Sequence, residues 1–524
     1  MKYQNIVLSL TITSIIAGTA LTPLVAMKRQ HNDDKEIQEP AVSKKQKTID
    51  TVTMPEFFEN LPNEINDHIG QFIESIPQDL DFENHKHVRI IHTIWKLREI
   101  NKHFSDILVP LCLRKVQSIR ISNNLIENQK KFDSFVVFLG SLQNLNFIDV
   151  NRTGITDQQL TLLLRAATAN KKNIQLRLNY CQNLLKPTIE NIPTLINLQF
   201  SWCENLQAIT LRNLPALTNL DIIACTALEN VTPINLPALT SLELNFCDNP
   251  LIVNFKNIHK LTHLGLRISD INDNTLTTLF NQGTLRNTLH ELDFFGCPNL
   301  KNPSFDNLTT LTNLSLSECL NIEKPSLTNL PKLTHLDLSL TGITDDILAN
   351  KILNQGTLGH TLISLDISYC KNLHKPTIGN LTNLTHLALS GNNITDDDLN
   401  TILNQGALKN TLQELNIKDT HMLQTPNLDN MPKLTSLNLA MTDISDTNLN
   451  TVLNQKMLKN TLRTLILFDN VNLKNPNLSN LNMLKFLDIN GCNNITKVQL
   501  STATKFMRFE QTYPNIHFVY VNNQ

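Results

Sequence analysis

A nine-residue frame, LxxLxLxx(C/N/T), recurs along most of the chain and constrains the fold more than any other feature. Its origins read as Val116, Leu142, Asn173, Leu195, Leu217, Leu239, Leu261, Leu289, Leu311, Leu333, Leu362, Leu384, Leu412, Leu434, Leu462, Leu484 and Ile516, the first and last degenerate. From Asn173 the spacings are 22, 22, 22, 22, 28, 22, 22, 29, 22, 28, 22, 28, 22 and 32 residues. No unit of that length can bury its own leucines, so stacked neighbours must supply the core. The frame predicts one short strand per unit. Positions one, four and six face inward; positions three, five and seven lie on the open face. Parallel strands would stack about 4.8 Å apart.

The frame resembles the leucine-rich repeats, and the resemblance covers roughly 400 of 524 residues. It implies an α/β solenoid with a parallel sheet on the concave face and alternating helical and short convex segments. The longer units contain "GITDDILANKILNQGTLGHT" or close relatives. In them Thr344 precedes Asp345 and Asp346, and Thr395 precedes Asp396, Asp397 and Asp398. A hydroxyl followed by acids suits a helix N-terminus. Leu399, Ile402 and Leu403 follow at helical spacing, and Gly356 or Gly406 is placed to end the helix. The 22-residue units instead read "CLNIEKPSLTNLPK", with Pro325 and Pro331. They leave room only for a turn or an extended convex segment.

Eight of the nine cysteines sit at frame position nine: Cys181, Cys203, Cys225, Cys247, Cys297, Cys319, Cys370 and Cys492. Elsewhere Asn, Thr or Ser takes that place. A small polar side chain turned inward there would bond the neighbouring unit's backbone, so these read as structural thiols. No CxxC pair suggests a metal site, and no cofactor is expected. Free adjacent thiols favour a reducing compartment.

The formal net charge is only −2, so no global basic field draws nucleic acid or an anionic membrane. Acids recur at position five, namely Asp221, Glu243, Asp293, Asp337, Asp366 and Asp488. Asp221 and Glu243 fall on adjacent units, as do Asp337 and Asp366. Side-by-side carboxylates repel, so the row marks a basic ligand or else a merely solvated sheet face. Aromatics are only 5% of the chain, which makes their placement informative. Tyr180, Trp202 and Phe246 take position eight, and Phe295 and Phe468 position seven. These acids and aromatics are the candidate contacts for an unknown protein target. His263, His335 and His386 at position three are too far apart in unit order for a metal. The chain has no phosphate-binding glycine loop, nucleophile elbow or HExxH motif, so catalysis is not expected.

Ahead of the array the sequence changes character. Residues 1–26 read as a secretory signal or an anchor, with Lys2 before a mostly apolar stretch and Ala26 near a cleavage region. Residues 27–54 are charged and aperiodic and read as a disordered linker. Residues 55–112 read as short helices, one starting near Pro62, and residues 113–524 as the array. "LPNEINDHIGQFI" and "LREINKHFSDI" resemble the opening and closing stretches of an F-box, while "IPQDL" at residues 76–80 loosely echoes its middle. That resemblance implies that Leu61, Pro62, Ile65, Ile69, Ile100 and Phe104 contact a Skp1-type adaptor. The repeats would then hold a target for a cullin-type ubiquitin ligase. With the leader, it implies a protein exported from a bacterium, with a eukaryotic host cell as a further destination. Units such as "NLTNLTHLALSGNNITDD" also resemble internalin-like repeats. They imply a secreted or surface binding protein in which residues 55–112 are only a helical cap.

Overall fold

The computed structural model describes residues 76, 79–81, 87, 113–168, 172–247, 252–253, 258–282, 284–354, 357–504, 508–509 and 516–521. The leader, the linker and the adaptor candidates Leu61, Pro62, Ile65, Ile69, Ile100 and Phe104 lie outside these residues. The chain divides into two compact units, residues 1–155 with 159–177, and residues 156–158 with 178–524.

In the second unit the frame forms a leucine-rich-repeat sheet. Strands Leu195–Ser201, Asn219–Ile223, Ser241–Asn245, His263–Gly265 and Glu291–Asp293 begin it, all parallel. The pairing matches frame position to frame position, with Leu198 opposite Leu220, Leu242 opposite Leu264 and Leu264 opposite Leu292. The same register runs on through Leu314, Leu336, Leu365, Leu387, Leu415, Leu437, Leu465 and Leu487. These position-four leucines are at most 2% exposed. Whether a unit has 22 or 28 residues, the difference is absorbed on the convex side.

That register corrects two frame origins. Ile148 pairs with Ile119 and with Leu176, so its unit begins at Leu145, not Leu142. Leu142 is buried in the turn after helix Gln129–Leu139, and its LxxL spacing to Leu145 mimics the frame. At the other end Phe509 pairs with Leu487, which places the last origin at residue 506, again 22 after Leu484. The strand His517–Val521 belongs instead to a convex sheet, beside Lys497–Ser501.

The convex side follows unit length. Short units place extended segments there, and Thr188–Glu190, Ala208–Arg212, Asn230–Ile234 and Ile252–Val253 form a second parallel sheet. Long units carry the helices Asp273–Phe280, Asp396–Leu403 and Asp446–Leu453. Helix Asp396–Leu403 buries Leu399, Ile402 and Leu403 and starts in a capping box between Thr395 and Asp398. It ends at Asn404, before Gly406. Gly406, at φ +50°, serves a close approach, since a Cβ there would meet the Gly379 carbonyl oxygen at 1.9 Å. The unit beginning at Leu333 has 29 residues rather than 28, and its helix, Ile347–Leu353, is a π-helix. One inserted residue accommodated inside a helix produces that widened turn.

In the first unit, strand Asp79–Asp81 lies within the stretch read as helical and pairs in parallel with Ser118–Arg120. It adds a strand ahead of the frame that starts at Val116. Arg120 reaches Asp149 at 3.2 Å and Asp81 at 3.9 Å.

Candidate binding face

Strand length decides what the position-five acids do. Where a strand is three residues long and position five is Asp or Asn, that side chain takes up the N–H at position seven. Asp293 accepts from Phe295 N–H at 3.0 Å, and Asp337, Asp366 and Asp488 accept from Ser339, Ser368 and Asn490 N–H at 2.9 Å. Asn416 and Asn438 do the same. Much of the acid row therefore closes its own strand ends. Position seven, expected on the open face, is buried in about half of the units, at Ser317, Ser339, Ser368 and Ser390 among others.

Around Asp221 the strands run to five residues or more, and the position-seven N–H groups stay in the ladder. Asp221 and Glu243 are direct register partners, as are Asp337 and Asp366. Glu243 is neutralised within the face. Its Oε1 lies 2.5 Å from His263 Nε2, and Asn245 donates to its Oε2 at 2.7 Å. His263 Nδ1 lies 2.7 Å from Glu291, so one imidazole ties three successive units. The hydrogen bond to Glu243 chiefly raises the His263 pKa, to about 9, against the pull of burial. Burial works to raise Glu243, but the bonds from His263 and Asn245 outweigh it and leave its carboxyl below the usual range. Gly265 makes room for this, since a Cβ there would meet Glu243 Oε2 at 1.9 Å. Arg267 similarly pairs with Asp293 at 2.5 Å.

Asp221 has no such relief. Among the described residues no hydrogen bond or ion pair engages its carboxylate, and burial, then the charge of Glu243, push its pKa up. Asp366 is also raised, by burial first and by Asp337 as well, although the Ser368 bonds oppose this.

Position eight is left-handed in every unit from the one holding Arg152 to the one holding Gly491. Tyr180, Trp202 and Phe246 have φ of 57°, 57° and 58°, and Ala224, Ile268, Glu318, Leu340, Tyr369, Asp419, Met441 and Asp469 share that conformation. Glycine, the residue suited to it, holds the position at Gly296, Gly391 and Gly491. The turn throws the side chain outward along the strand ends. Tyr180, Trp202 and Phe246 are 42%, 49% and 41% exposed, and the first two rings stack 3° from parallel with centroids 6.1 Å apart. Phe295 is half-buried and Phe468 exposed.

The eight position-nine thiols are buried and none is in a disulfide. Several reach back one unit. Cys203 donates to Leu178 O at 3.0 Å, Cys319 to Phe294 O at 3.1 Å and Cys492 to Leu467 O at 2.9 Å. Asn392 reaches back likewise, to Ile367 O at 2.8 Å. The shorter hydroxyls of Ser269, Thr341 and Thr420 donate to their own unit instead, which corrects the expectation for those residues.

A further device was not foreseen from the sequence. Twelve residues after the frame origin in each of these helical units stands an aspartate, which for Asp345 and Asp396 is the first acid after the capping hydroxyl. It accepts two backbone N–H groups of the following unit. Asp273 takes Lys301 and Asn302, Asp345 takes His374 and Lys375, Asp396 takes Gln424 and Thr425, and Asp446 takes Lys474 and Asn475. Its fixed offset was the available signal.

Among the described residues no helix is long and apolar enough to cross a membrane. The sequence matches no known family profile and no curated protein. Among solved structures it is similar to the TLR13–ssRNA13 complex, at TM-score 0.43 and 17% identity over 81% of this chain. The chain spans 63% of the length of that one. It is also similar to an internalin, inlF, from Listeria monocytogenes, at TM-score 0.32 and 21% identity over 53% of this chain and 81% of that one. The Rad7 and Elc1 complex from yeast matches at TM-score 0.35 and 17% identity over 83% of this chain and 97% of that one.

Proposed function

We propose that this leucine-rich-repeat chain acts by binding other proteins, without catalysis of its own, and that the concave face of the second unit holds the partner. The charge of that face carries the reading. Across positions three, five and seven from Leu195 onward, among the described residues, stand Asp221, Glu243, Glu291, Asp293, Asp337, Asp366, Glu414 and Asp488 against Arg267, Lys418, Arg508 and His263, whose pKa is raised to about 9. The whole chain is only −2, so acid is concentrated where a repeat array presents side chains in rows, and the partner it suits is basic.

The finer reading rests on the F-box resemblance. Leu61, Pro62, Ile65, Ile69, Ile100 and Phe104 would hold a Skp1-type adaptor, and the concave face would bring a target to the ubiquitin ligase. The leader makes the chain an exported protein, and an F-box has a ligase to recruit only inside a eukaryotic host. One experiment tests both halves. The full chain is produced with its leader in a bacterium, and material from the medium is mixed with purified Skp1. Recovery from the medium and capture by Skp1, lost on Pro62→Ala with Ile65→Asp, are the expected results. Retention in the cells overturns export. Exported chain that ignores Skp1 overturns the adaptor role and leaves the internalin-like reading of a secreted binding protein.

A further inference from the structure

Within that concave face one place combines an unrelieved charge with exposed aromatic surface. Among the described residues Asp221 is the position-five acid that neither closes its own strand end nor forms an ion pair, with only the more distant charge of His263 easing it. The next position-five acids along the face are already neutralised, Glu243 one unit on by His263 and Asp293 three units on by Arg267. An incoming cation therefore gains most at Asp221, where burial and a like charge alongside leave the carboxylate short of partners.

Three residues further along the strands, about 10 Å away at some 3.3 Å per residue, runs the position-eight ledge. Tyr180 and Trp202 stack there, Ala224 follows at 5% exposure, and Phe246 and Ile268 stand beyond it at 41% and 37%. The small side chain of Ala224 leaves a low point between Trp202 and Phe246 in the row. Exposed aromatic rings beside a recessed position are typical of interface anchors. The backbone strengthens the point. Each of these bulky residues holds a left-handed conformation that disfavours an L-residue, while the same row uses glycine at Gly296, Gly391 and Gly491.

We propose that Tyr180, Trp202, Phe246 and Asp221 form the anchor site for a partner protein, and that the partner docks a segment carrying an arginine or lysine about 10 Å from a large apolar side chain. The cation meets Asp221, and the apolar group sits on the ledge between Trp202 and Phe246. Charge complementarity selects this occupant, because the surrounding face is acidic and repels an acidic segment or a nucleic acid backbone. The inference rests on the binding-protein reading but not on the adaptor role.

The test uses the full chain and a synthetic twelve-residue peptide alternating arginine with leucine and phenylalanine, followed by anisotropy and by quenching of Trp202 in a Trp95→Phe background. The peptide is expected to bind. Trp202→Ala, read by anisotropy, weakens it by about tenfold or more, and Phe246→Ala provides the same test if Trp202→Ala fails to fold. Asp221→Asn weakens it by up to about fivefold, and that difference shrinks at about 1 M salt, where the Debye length is about 3 Å. Asp488→Asn, far along the same face, changes little. Three results overturn the proposal: equal binding of a peptide with glutamate in place of arginine, tighter binding of oligouridylate than of the peptide, or unchanged affinity in both ledge variants. If the peptide binds but ignores the ledge variants, the anchor falls while the face still binds a basic partner. If no basic peptide binds at all, the binding-face reading falls with it.

Discussion

Position eight shows what a single backbone angle imposes on a repeat. Each strand end turns through the left-handed region, so the side chain there projects towards the next unit. At Gly391 (φ +62°) an added Cβ would lie 2.1 Å from Tyr369 Cδ1, the ring one unit back. Gly391→Ala should therefore cost about 1–3 kcal/mol, from the left-handed penalty together with displacement of the ring. In a Tyr369→Ala background the ring contribution vanishes, and the cost should fall to about 1 kcal/mol. Urea unfolding of the four proteins of this cycle checks it, and equal costs in both backgrounds would refute the packing account. The sequence held a hint, since Gly296, Gly391 and Gly491 share one frame position. The aromatics at that position concealed it, because Tyr and Trp are poor residues for such an angle and so do not announce it.

The helical elements show how units of different length are fastened together. Asp396 holds Gln424 N–H at 3.1 Å and Thr425 N–H at 2.9 Å in the unit after it. Gln405 reaches the other way, accepting from Ile378 N–H at 2.8 Å and donating to Pro376 O at 3.1 Å. Each helix is thus tied forwards and backwards by side chains at fixed offsets. Removing the carboxylate in Asp396→Ala leaves two backbone donors without their acceptor. The site is half-exposed, so water recovers part of the loss, and a drop of about 1–2 kcal/mol is expected. Asp396→Asn keeps one acceptor oxygen and should lose less, while Asp397→Ala, an exposed neighbour without such bonds, should lose almost nothing. Thermal unfolding of the three variants separates the readings: equal losses at 396 and 397 would mean that only the helix N-terminal charge matters. The elements themselves were legible, because apolar spacing switches between the strand and helix periods and unit length sets the convex structure. Even the π-helix has its counterpart in a spacing of 29. The partners of the acids were not legible. A carboxylate after a strand closes its own turn or waits for a ligand according to how many residues the strand pairs, and that number depends on the neighbouring units.

At the scale of the molecule the array is a column of near-identical floors, and the position-nine groups run through it as a continuous polar line inside an apolar core. Four consecutive floors carry Cys181, Cys203, Cys225 and Cys247, all buried and none in a disulfide. Disulfide geometry would demand that two such side chains turn towards each other, yet Cys203 is held at 3.0 Å to the backbone of the preceding unit. Burial raises Cys370 and brings Cys492 up to about 11, while hydrogen bonds from Cys181 and Cys225 lower Cys203 and one from Cys319 lowers Cys297, so it is enclosure in the core that shields these two. The folded protein should therefore resist a thiol reagent at all eight described positions, and all nine cysteines of the chain should react once it is denatured. Because each thiol lies inside a stacked core, the native reaction should follow the rate at which floors open, independent of reagent concentration when the reagent is in excess. Ellman titration with and without denaturant tests this. Fewer than nine thiols in the denatured, unreduced protein would mean that a disulfide forms, and the case for a reducing final compartment would be lost. The full number would agree with the expectation of a reducing compartment, where adjacent thiols survive.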